Sequence, residues 1–171
     1  MKSKIMLFLL ALLPIASFAQ NKAIDNIFDK FDGKPGITSI NISKEMMNLV
    51  AQLDSLDFKA KELFSQINNV RILALNKASQ EDKTSFDTMV KAIQLSTYKE
   101  LMVVKDKGNT VKILTLQNEG KINQFLLLVT GDHESVIISI NGNINPKDLG
   151  KLASLSHFNG FKYFDHMNHN K

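Results

Sequence analysis

Leu101–Asn143, LMVVKDKGNTVKILTLQNEGKINQFLLLVTGDHESVIISINGN, is the stretch of sequence that decides the fold. It contains four apolar segments separated by short polar connections. Val, Ile, Leu and Phe favour the half-buried surface of a pleated sheet. The Gly and Asn residues of the connections supply the positive φ angles that tight hairpins need. We therefore predict an antiparallel four-strand meander over about residues 101–141. Its strands are Leu101–Val104, Val111–Leu116, Ile122–Thr130 and Val136–Ile140.

The predicted strands have apolar side chains on both faces of the sheet. Alternation places Val111 and Ile113 on one face and Leu114 and Leu116 on the other. Phe125–Val129 is apolar throughout, as in a strand in the middle of a covered sheet. The second apolar face therefore requires a cover, which helices, the C-terminal tail or a partner could supply.

The flanking sequence predicts a single α+β domain over residues 20–155, followed by an aromatic and histidine-rich tail, residues 156–171. Strands Ile37–Ile42 and Val70–Leu75 extend the meander into one sheet packed by four to five helices. We expect Asn68-Asn69 to turn the chain into the second of these strands. Ser43, Ser79 and Asn145 have the character of helix N-caps, and Ser79–Asp82 is similar to a capping box. The predicted apolar stripes are Ile24, Ile27, Phe28 and Phe31 within Asn21–Asp32; Met46, Leu49, Val50 and Leu53; Leu63, Phe64 and Ile67 around Asp57–Gln66; Phe86, Met89, Val90 and Ile93; and Leu149, Leu152 and Leu155.

The N-terminus has the pattern of a secretory signal peptide. Two lysines precede the apolar run Ile5–Leu13, and Ser17-Phe18-Ala19 is a small-x-small cleavage site. The run is shorter than the roughly 18 apolar residues that span a bilayer. We predict cleavage after Ala19, which leaves Gln20 first and gives an exported, periplasmic or secreted product.

The composition narrows the class of protein further. Cysteine is absent, so the exported domain has no disulfides and depends on its core for stability. A bacterial lipoprotein has a Cys after the cleavage site, where this chain has Gln20, so we predict no lipid anchor. The formal net charge is +4 for the whole chain and about +2 without the two lysines of the signal peptide. The remaining charges form no Lys/Arg stripe for nucleic acid, and no later segment is apolar enough to span a membrane.

Three stretches resemble a known family. They are Phe31–Ile42, Glu100–Gly108, and Ile137–Ile144 continuing through Asp148–Leu152. Over about residues 24–155 the chain resembles the exported bacterial family called domain of unknown function 4252. The resemblance implies a small envelope protein of Gram-negative bacteria without an assigned activity or site residues. Some members look lipid-anchored through a cysteine, and Gln20 departs from that pattern.

Two groups of residues have the types that catalysis or metal binding requires. Asp132-His133-Glu134-Ser135 contains the residues of a hydrolytic triad, but adjacent residues alternate in direction and do not converge on one nucleophile. We interpret it as a solvated turn. His166 and His169, with Asp165 and His157, could bind a divalent metal, although a frayed polar terminus is the favoured interpretation. We predict no catalytic, cofactor or metal site.

Two other segments could bind a ligand or partner. Ser139–Asn143 could form a small-ligand or glycan contact, but we favour a turn made by Gly142-Asn143. The tail aromatics could form a docking surface, or they could fold back over the sheet, which we favour. They are Phe158, Phe161, Tyr163 and Phe164.

The predicted function is that of a non-catalytic binding or accessory module of the cell envelope. The absence of any catalytic constellation motivates this prediction. Its partner would be another envelope protein or an apolar ligand. The alternative is a periplasmic carrier of a lipid or other apolar ligand, which the two-sided apolar strands motivate.

Overall fold

The computed structural model describes residues 16–93, 95–131 and 135–148, with side chains from Lys22 onward. These residues form a six-stranded sheet, four α-helices and two 3-10 turns. The helices are α1 (Ala16–Phe31), α2 (Lys44–Ala51), α3 (Phe58–Gln66) and α4 (Gln80–Ala92). The strands are β1 (Ile37–Ile42), β2 (Ile67–Leu75), β3 (Lys99–Asp106), β4 (Asn109–Asn118), β5 (Lys121–Thr130) and β6 (Ser135–Ile144). The 3-10 turns are Leu95–Thr97 and Pro146–Asp148.

The strands are ordered β1-β2-β6-β5-β4-β3, and every neighbouring pair is antiparallel. The predicted α+β class and the meander of β3 to β6 are therefore confirmed, and both additional strands join the same sheet. The strand β2 begins at Ile67 rather than at the predicted Val70. The predicted turn at Asn68-Asn69 is wrong because Asn69 pairs with Asn141 on β6, which extends β2 toward α3.

Two tight hairpins connect the first three strands of the meander. Lys107 and Gly108 have φ angles of 44° and 85°, and Glu119 and Gly120 have 50° and 74°. Two consecutive positive φ angles define a type I′ turn, whose twist matches that of the flanking strands. Lys107 and Glu119 thus adopt the left-handed conformation that we expected of Gly and Asn. The connection between β5 and β6 includes residues 132–134, which lie outside the described residues.

One face of the sheet carries the main hydrophobic core, beneath α1 and α4. Phe31 and Phe86 meet edge to face, with ring centroids 5.7 Å apart at 69°. Both rings are fully buried, and such pairs add about 0.5–1.5 kcal/mol beyond the burial of their area. Strands β2, β4, β5 and β6 complete this core with Leu73, Leu75, Leu114, Leu126, Leu128 and Ile137.

The opposite face is covered at one end by α2 and α3. Met47 and Leu63 pack there against Ile67, Ile122 and Ile144. The adjoining cross-strand residues Ile42, Val70, Ile140 and Phe125 are partly buried against this cluster.

The apolar stripe predicted for α2 was wrong. Met46, Leu49 and Leu53 are 52%, 61% and 52% exposed, whereas Met47 is 6% exposed. Consecutive methionines make two helical phases compatible with the sequence, and the packing of Met47 near Leu63 selects the other phase. The predicted cap is confirmed, because Ser43 Oγ accepts a hydrogen bond from the Met46 N–H at 3.4 Å.

Beyond α2 and α3, two cross-strand rows on this face lie outside both hydrophobic clusters. We call these twelve residues the open face. None of them carries a charge. The row nearer α2 and α3 is Ile40, Ile72, Ile138, Leu127, Ile113 and Met102, and the farther row is Thr38, Ala74, Val136, Val129, Val111 and Val104.

Candidate functional site

A polar cleft of about 370 Å³ lies on the helix-covered side of the domain, where β2, β5 and β6 meet beside α1. Five of its nine lining residues carry a carboxamide, and Asp25 and Arg71 are its only charged residues. Its size falls within the range of about 300–1,000 Å³ that small-molecule sites occupy. The lining residues are Asp25, Asn68, Asn69, Arg71, Leu116, Asn123, Gln124, Asn141 and Gly142.

The floor of this carboxamide cleft is a buried hydrogen-bond chain. The Tyr98 hydroxyl donates to Gln124 Oε1 at 2.5 Å, and Gln124 Nε2 donates to Ser139 Oγ at 2.8 Å. These three residues are at most 6% exposed. Burial raises the pKa of Tyr98 to about 12, so its hydroxyl stays protonated and fixes the orientation of the Gln124 amide.

Two asparagines on neighbouring strands form the second level of the cleft. Asn141 Nδ2 donates to Asn69 Oδ1 at 2.7 Å, and a longer contact of 3.4 Å joins it to Ser139 Oγ. Within the described part of the chain, the Asn69 Nδ2 donor and the Asn141 Oδ1 acceptor have no hydrogen-bond partner. The pair therefore presents one donor and one acceptor to the cleft.

A charged wall faces these amides. Arg71 Nη2 donates to Asp25 Oδ1 at 2.5 Å, and its guanidinium lies 4.5 Å from the centroid of the Phe28 ring. The charges of Arg71 and Asp25 cancel, so the cleft has no net formal charge. Arg71 Nε is buried and has no acceptor among the described residues. An unsatisfied buried donor of this kind costs about 1–3 kcal/mol.

Gly142 lies at the rim of the cleft, within β6. A Cβ atom at this position would collide with the main-chain carbonyl of Gln66 at the end of α3. The glycine thus allows α3 to approach the sheet closely. The predicted turn at Gly142-Asn143 is wrong, because β6 continues through both residues to Ile144. The alternative interpretation, a small-ligand or glycan contact by Ser139–Asn143, stays a prediction; Asn141 and Gly142 of this stretch line the cleft.

The other sequence-based candidates lie mostly outside the described residues. Of the triad-like turn, only Ser135 is described, and it is fully buried at the start of β6. The possible histidine ligands and the tail aromatics fall after residue 148. Among the described residues, no three His, Cys, Asp or Glu side chains are grouped so as to hold a metal ion. No described helix is long and apolar enough to cross a membrane.

The cleft itself was not predicted from the sequence. Asn69 and Asn141 are 72 residues apart, and only the pairing of β2 with β6 brings them together. The available signal was the group of polar residues in apolar strands, Asn68-Asn69, Asn123-Gln124 and Asn141. Of these, only Asn123-Gln124 lies inside a strand predicted from the sequence, where a polar pair indicates a surface outside the hydrophobic core.

Comparison with known families identifies the chain. A family model described as "Domain of unknown function (DUF4252)" matches residues 31–152, and the protein belongs to this family. The match includes most of the sheet and the strand residues of the cleft. A search of curated proteins and a search of solved structures gave no match.

Proposed function

We propose that this protein is an exported, non-catalytic binding module and that the carboxamide cleft is its ligand site. The ligand that we propose is an uncharged saccharide. The observation that carries this proposal is the concentration of five carboxamides around a neutral cleft of about 370 Å³. The predicted signal peptide supports export to the periplasm, where such ligands are accessible.

The chemistry of the lining favours hydroxyl groups. A carboxamide donates two hydrogen bonds and accepts others, so it pairs with hydroxyls, which both donate and accept. Asn69 and Asn141 offer one unused donor and one unused acceptor. Leu116 adds an apolar surface for the C–H face of a sugar ring. A hydroxyl oxygen in the cleft would also provide an acceptor for Arg71 Nε.

The charge balance argues against an ionic ligand. Asp25 and Arg71 neutralise each other at 2.5 Å. An anion would have to compete with Asp25 for Arg71, and a cation would have to compete with Arg71 for Asp25. Either ligand would leave one charged group without its partner, which is costly at a partly buried site.

Titration of the ¹⁵N-labelled protein with neutral saccharides tests this proposal. The probes are glucose, galactose, N-acetylglucosamine and maltose at millimolar concentrations, with glucuronate as the charged comparison. We expect at least one neutral probe to shift the side-chain NH₂ resonances of Asn69 and Asn141 saturably, and glucuronate to shift them less. The proposal is wrong if none of the neutral probes shifts these resonances.

Two variants distinguish binding in the cleft from nonspecific binding. Asn68 and Asn123 line the cleft, are exposed, and make no side-chain hydrogen bond within the described residues. The double variant Asn68→Ala/Asn123→Ala should therefore fold normally and bind the probe roughly thirtyfold more weakly, because it loses two hydrogen bonds of about 1 kcal/mol each. Asn48→Ala, at an exposed position on α2, is the control and should bind like the wild type. Equal affinities for all three proteins would place the saccharide elsewhere.

The open face supports an alternative function, that of a carrier for a lipid or other apolar ligand. Its residues are uncharged. On the edge strands β1 and β3, Ile40, Met102 and Val104 are 42%, 46% and 45% exposed, whereas Leu127 and Val111 on the inner strands are 4% and 8% exposed. Apolar surface of this kind marks interaction sites. Saturable binding of the fluorescent probe N-phenylnaphthylamine by the full-length protein, abolished by Ile138→Lys, would favour the carrier over the saccharide-binding module.

A further inference from the structure

A β-bulge in β2 brings two consecutive carboxamides to the cleft. Asn68 is an extra residue between the pairs that Ile67 and Asn69 make with β6. Ile67 and Val70 pack on the face that α2 and α3 cover, whereas Asn68 and Asn69 both line the cleft on the other face. Adjacent residues of a regular strand alternate between faces, and a bulge interrupts this alternation. The bulge is therefore the reason that both side chains reach the cleft.

The strand β5 has the same arrangement. Asn123 is an extra residue between the pairs that Ile122 and Gln124 make with β4. Ile122 and Phe125 pack on the face that α2 and α3 cover, and Asn123 and Gln124 line the cleft. The segments Ile67–Val70 and Ile122–Phe125 thus share one pattern, in which two carboxamides stand between two apolar residues.

The two bulges lie at the same level of the sheet, on either side of β6. Asn69 and Gln124 pair with the same residue of that strand, Asn141. Neighbouring strands are about 4.8 Å apart, so the bulges are separated by about 10 Å. Their extra residues, Asn68 and Asn123, are exposed and make no side-chain hydrogen bond within the described part of the chain. Two unused carboxamides therefore stand on opposite sides of Asn141.

We propose that the two bulges hold one pyranose ring between them, with Asn68 and Asn123 bonding hydroxyls on opposite sides of the ring. This inference rests on the proposed saccharide-binding function and specifies the unit that is bound. Hydrogen bonds of about 3 Å at each side of a gap of about 10 Å leave about 4 Å between the two ligand oxygens. Hydroxyls on neighbouring carbons are closer together than this, whereas non-adjacent hydroxyls of one ring reach that separation. The Asn69–Asn141 pair lies between the bulges and offers its unused donor and acceptor to a third hydroxyl.

Single substitutions in the two bulges test the proposal. Wild type, Asn68→Ala and Asn123→Ala are titrated as ¹⁵N-labelled proteins with glucose, galactose and N-acetylglucosamine. For at least one sugar, we expect each variant to bind roughly fivefold more weakly than the wild type, because each loses one hydrogen bond to the ring. In the wild type, the side-chain NH₂ resonances of Asn68 and Asn123 should shift with the same midpoint. Asn48→Ala is the control and should bind like the wild type.

The alditols sorbitol, galactitol and N-acetylglucosaminitol are the matched open-chain probes. They carry the same substituents without the ring. We expect each to bind at least about tenfold more weakly than the sugar that binds, because an open chain loses conformational freedom when its hydroxyls are held at a fixed separation.

Two results would overturn the bridging ring and leave the proposed function intact. The first is weaker binding in only one of the two variants, which would place the sugar at a single strand. The second is an alditol that binds as tightly as its sugar. In both cases the resonances of Asn69 and Asn141 would still shift. If no sugar shifts those two resonances, the proposed function fails, and this inference fails with it.

Discussion

At the scale of single residues, Tyr98 belongs to the buried hydrogen-bond chain beneath the cleft, and its pKa can be measured. Its hydroxyl donates to Gln124 Oε1, and burial raises its pKa from 10.0 to about 12. Below pH 10 the side chain is neutral in both the folded and the unfolded protein. Between about pH 10 and 12 only the unfolded tyrosine ionises, so the free energy of unfolding falls as the pH rises. The shift corresponds to a loss of at most about 3 kcal/mol.

Tyr98→Phe is expected to change stability in two ways. At pH 7 it should lower the free energy of unfolding by about 1–3 kcal/mol, because Gln124 Oε1 loses its donor in a buried site. Between about pH 10 and 12 its stability should fall less steeply than that of the wild type, since no phenol ionises at position 98. Urea unfolding of the wild type and of Tyr98→Phe, at pH 7 and between about pH 10 and 12, measures the difference in the free energy of unfolding.

The pKa of Tyr98 can be observed directly. The chain has two tyrosines, so the variant Tyr163→Phe leaves Tyr98 as the only phenol. Absorbance at 295 nm should then show ionisation near pH 12 in the folded protein. Ionisation near pH 10 without unfolding would contradict the buried environment that the structure gives Tyr98.

At the scale of elements, the junction between α1 and β1 depends on two glycines with different surroundings. Gly33 and Gly36 have φ angles of 70° and 74°. A Cβ atom at Gly33 would meet no other atom within 4 Å, whereas at Gly36 it would collide with the main-chain carbonyl of Lys77. Gly36 O also accepts from the Lys77 N–H at 3.0 Å, so this close approach connects β1 to the end of β2.

Alanine at these two positions should therefore have unequal effects. Gly33→Ala should cost only the strain of a left-handed alanine, about 1–2 kcal/mol. Gly36→Ala should cost about 2–5 kcal/mol, because overpacking adds about 1–3 kcal/mol to the same strain. Thermal unfolding of the two variants gives the comparison. Equal losses of stability in the two variants would mean that the end of β2 moves away from residue 36 at no cost in free energy.

The start of α4 shows how a correct local prediction can still miss a contact. Ser79 Oγ accepts from the Asp82 N–H at 3.1 Å, as the capping pattern predicted. The Asp82 carboxylate accepts from Lys34 and from the Ser79 hydroxyl, and these bonds, the one from Lys34 foremost, lower its pKa. Lys34 lies 48 residues earlier in the sequence. The capping residues were thus predictable, whereas the ion pair between the α1–β1 loop and α4 required the fold.

At the scale of the whole molecule, the predicted elements and most of their predicted buried faces were correct, whereas the buried side of α2 was wrong and the cleft was not predicted. Alternation correctly placed Val111 and Leu114 on opposite faces, because period 2 is a property of the strand alone. The buried side of α2 was wrong, since two helical phases fitted its short sequence. The cleft depends on the register of β2 against β6, which no local pattern contains. Pairing between distant strands thus determines the candidate site.

Export of the full-length protein tests the predicted signal peptide. When the full-length protein is expressed in a Gram-negative host, the periplasmic product should have the mass of residues 20–171. The small residues at 17 and 19 define the predicted site, so Ala19→Arg should leave the precursor uncleaved. Recovery of the wild-type protein with Met1 intact would contradict the predicted signal peptide.

The strand order gives the sheet two edges of different character. β3 forms one edge, and it carries Lys99, Glu100, Lys105 and Asp106, all exposed. Charges on an edge strand oppose the addition of a strand from another molecule. β1 forms the other edge with ITSINI, which contains no charged residue. Self-association by strand addition is therefore directional: it is disfavoured along β3, and β1 is the edge at which a further strand would extend the sheet.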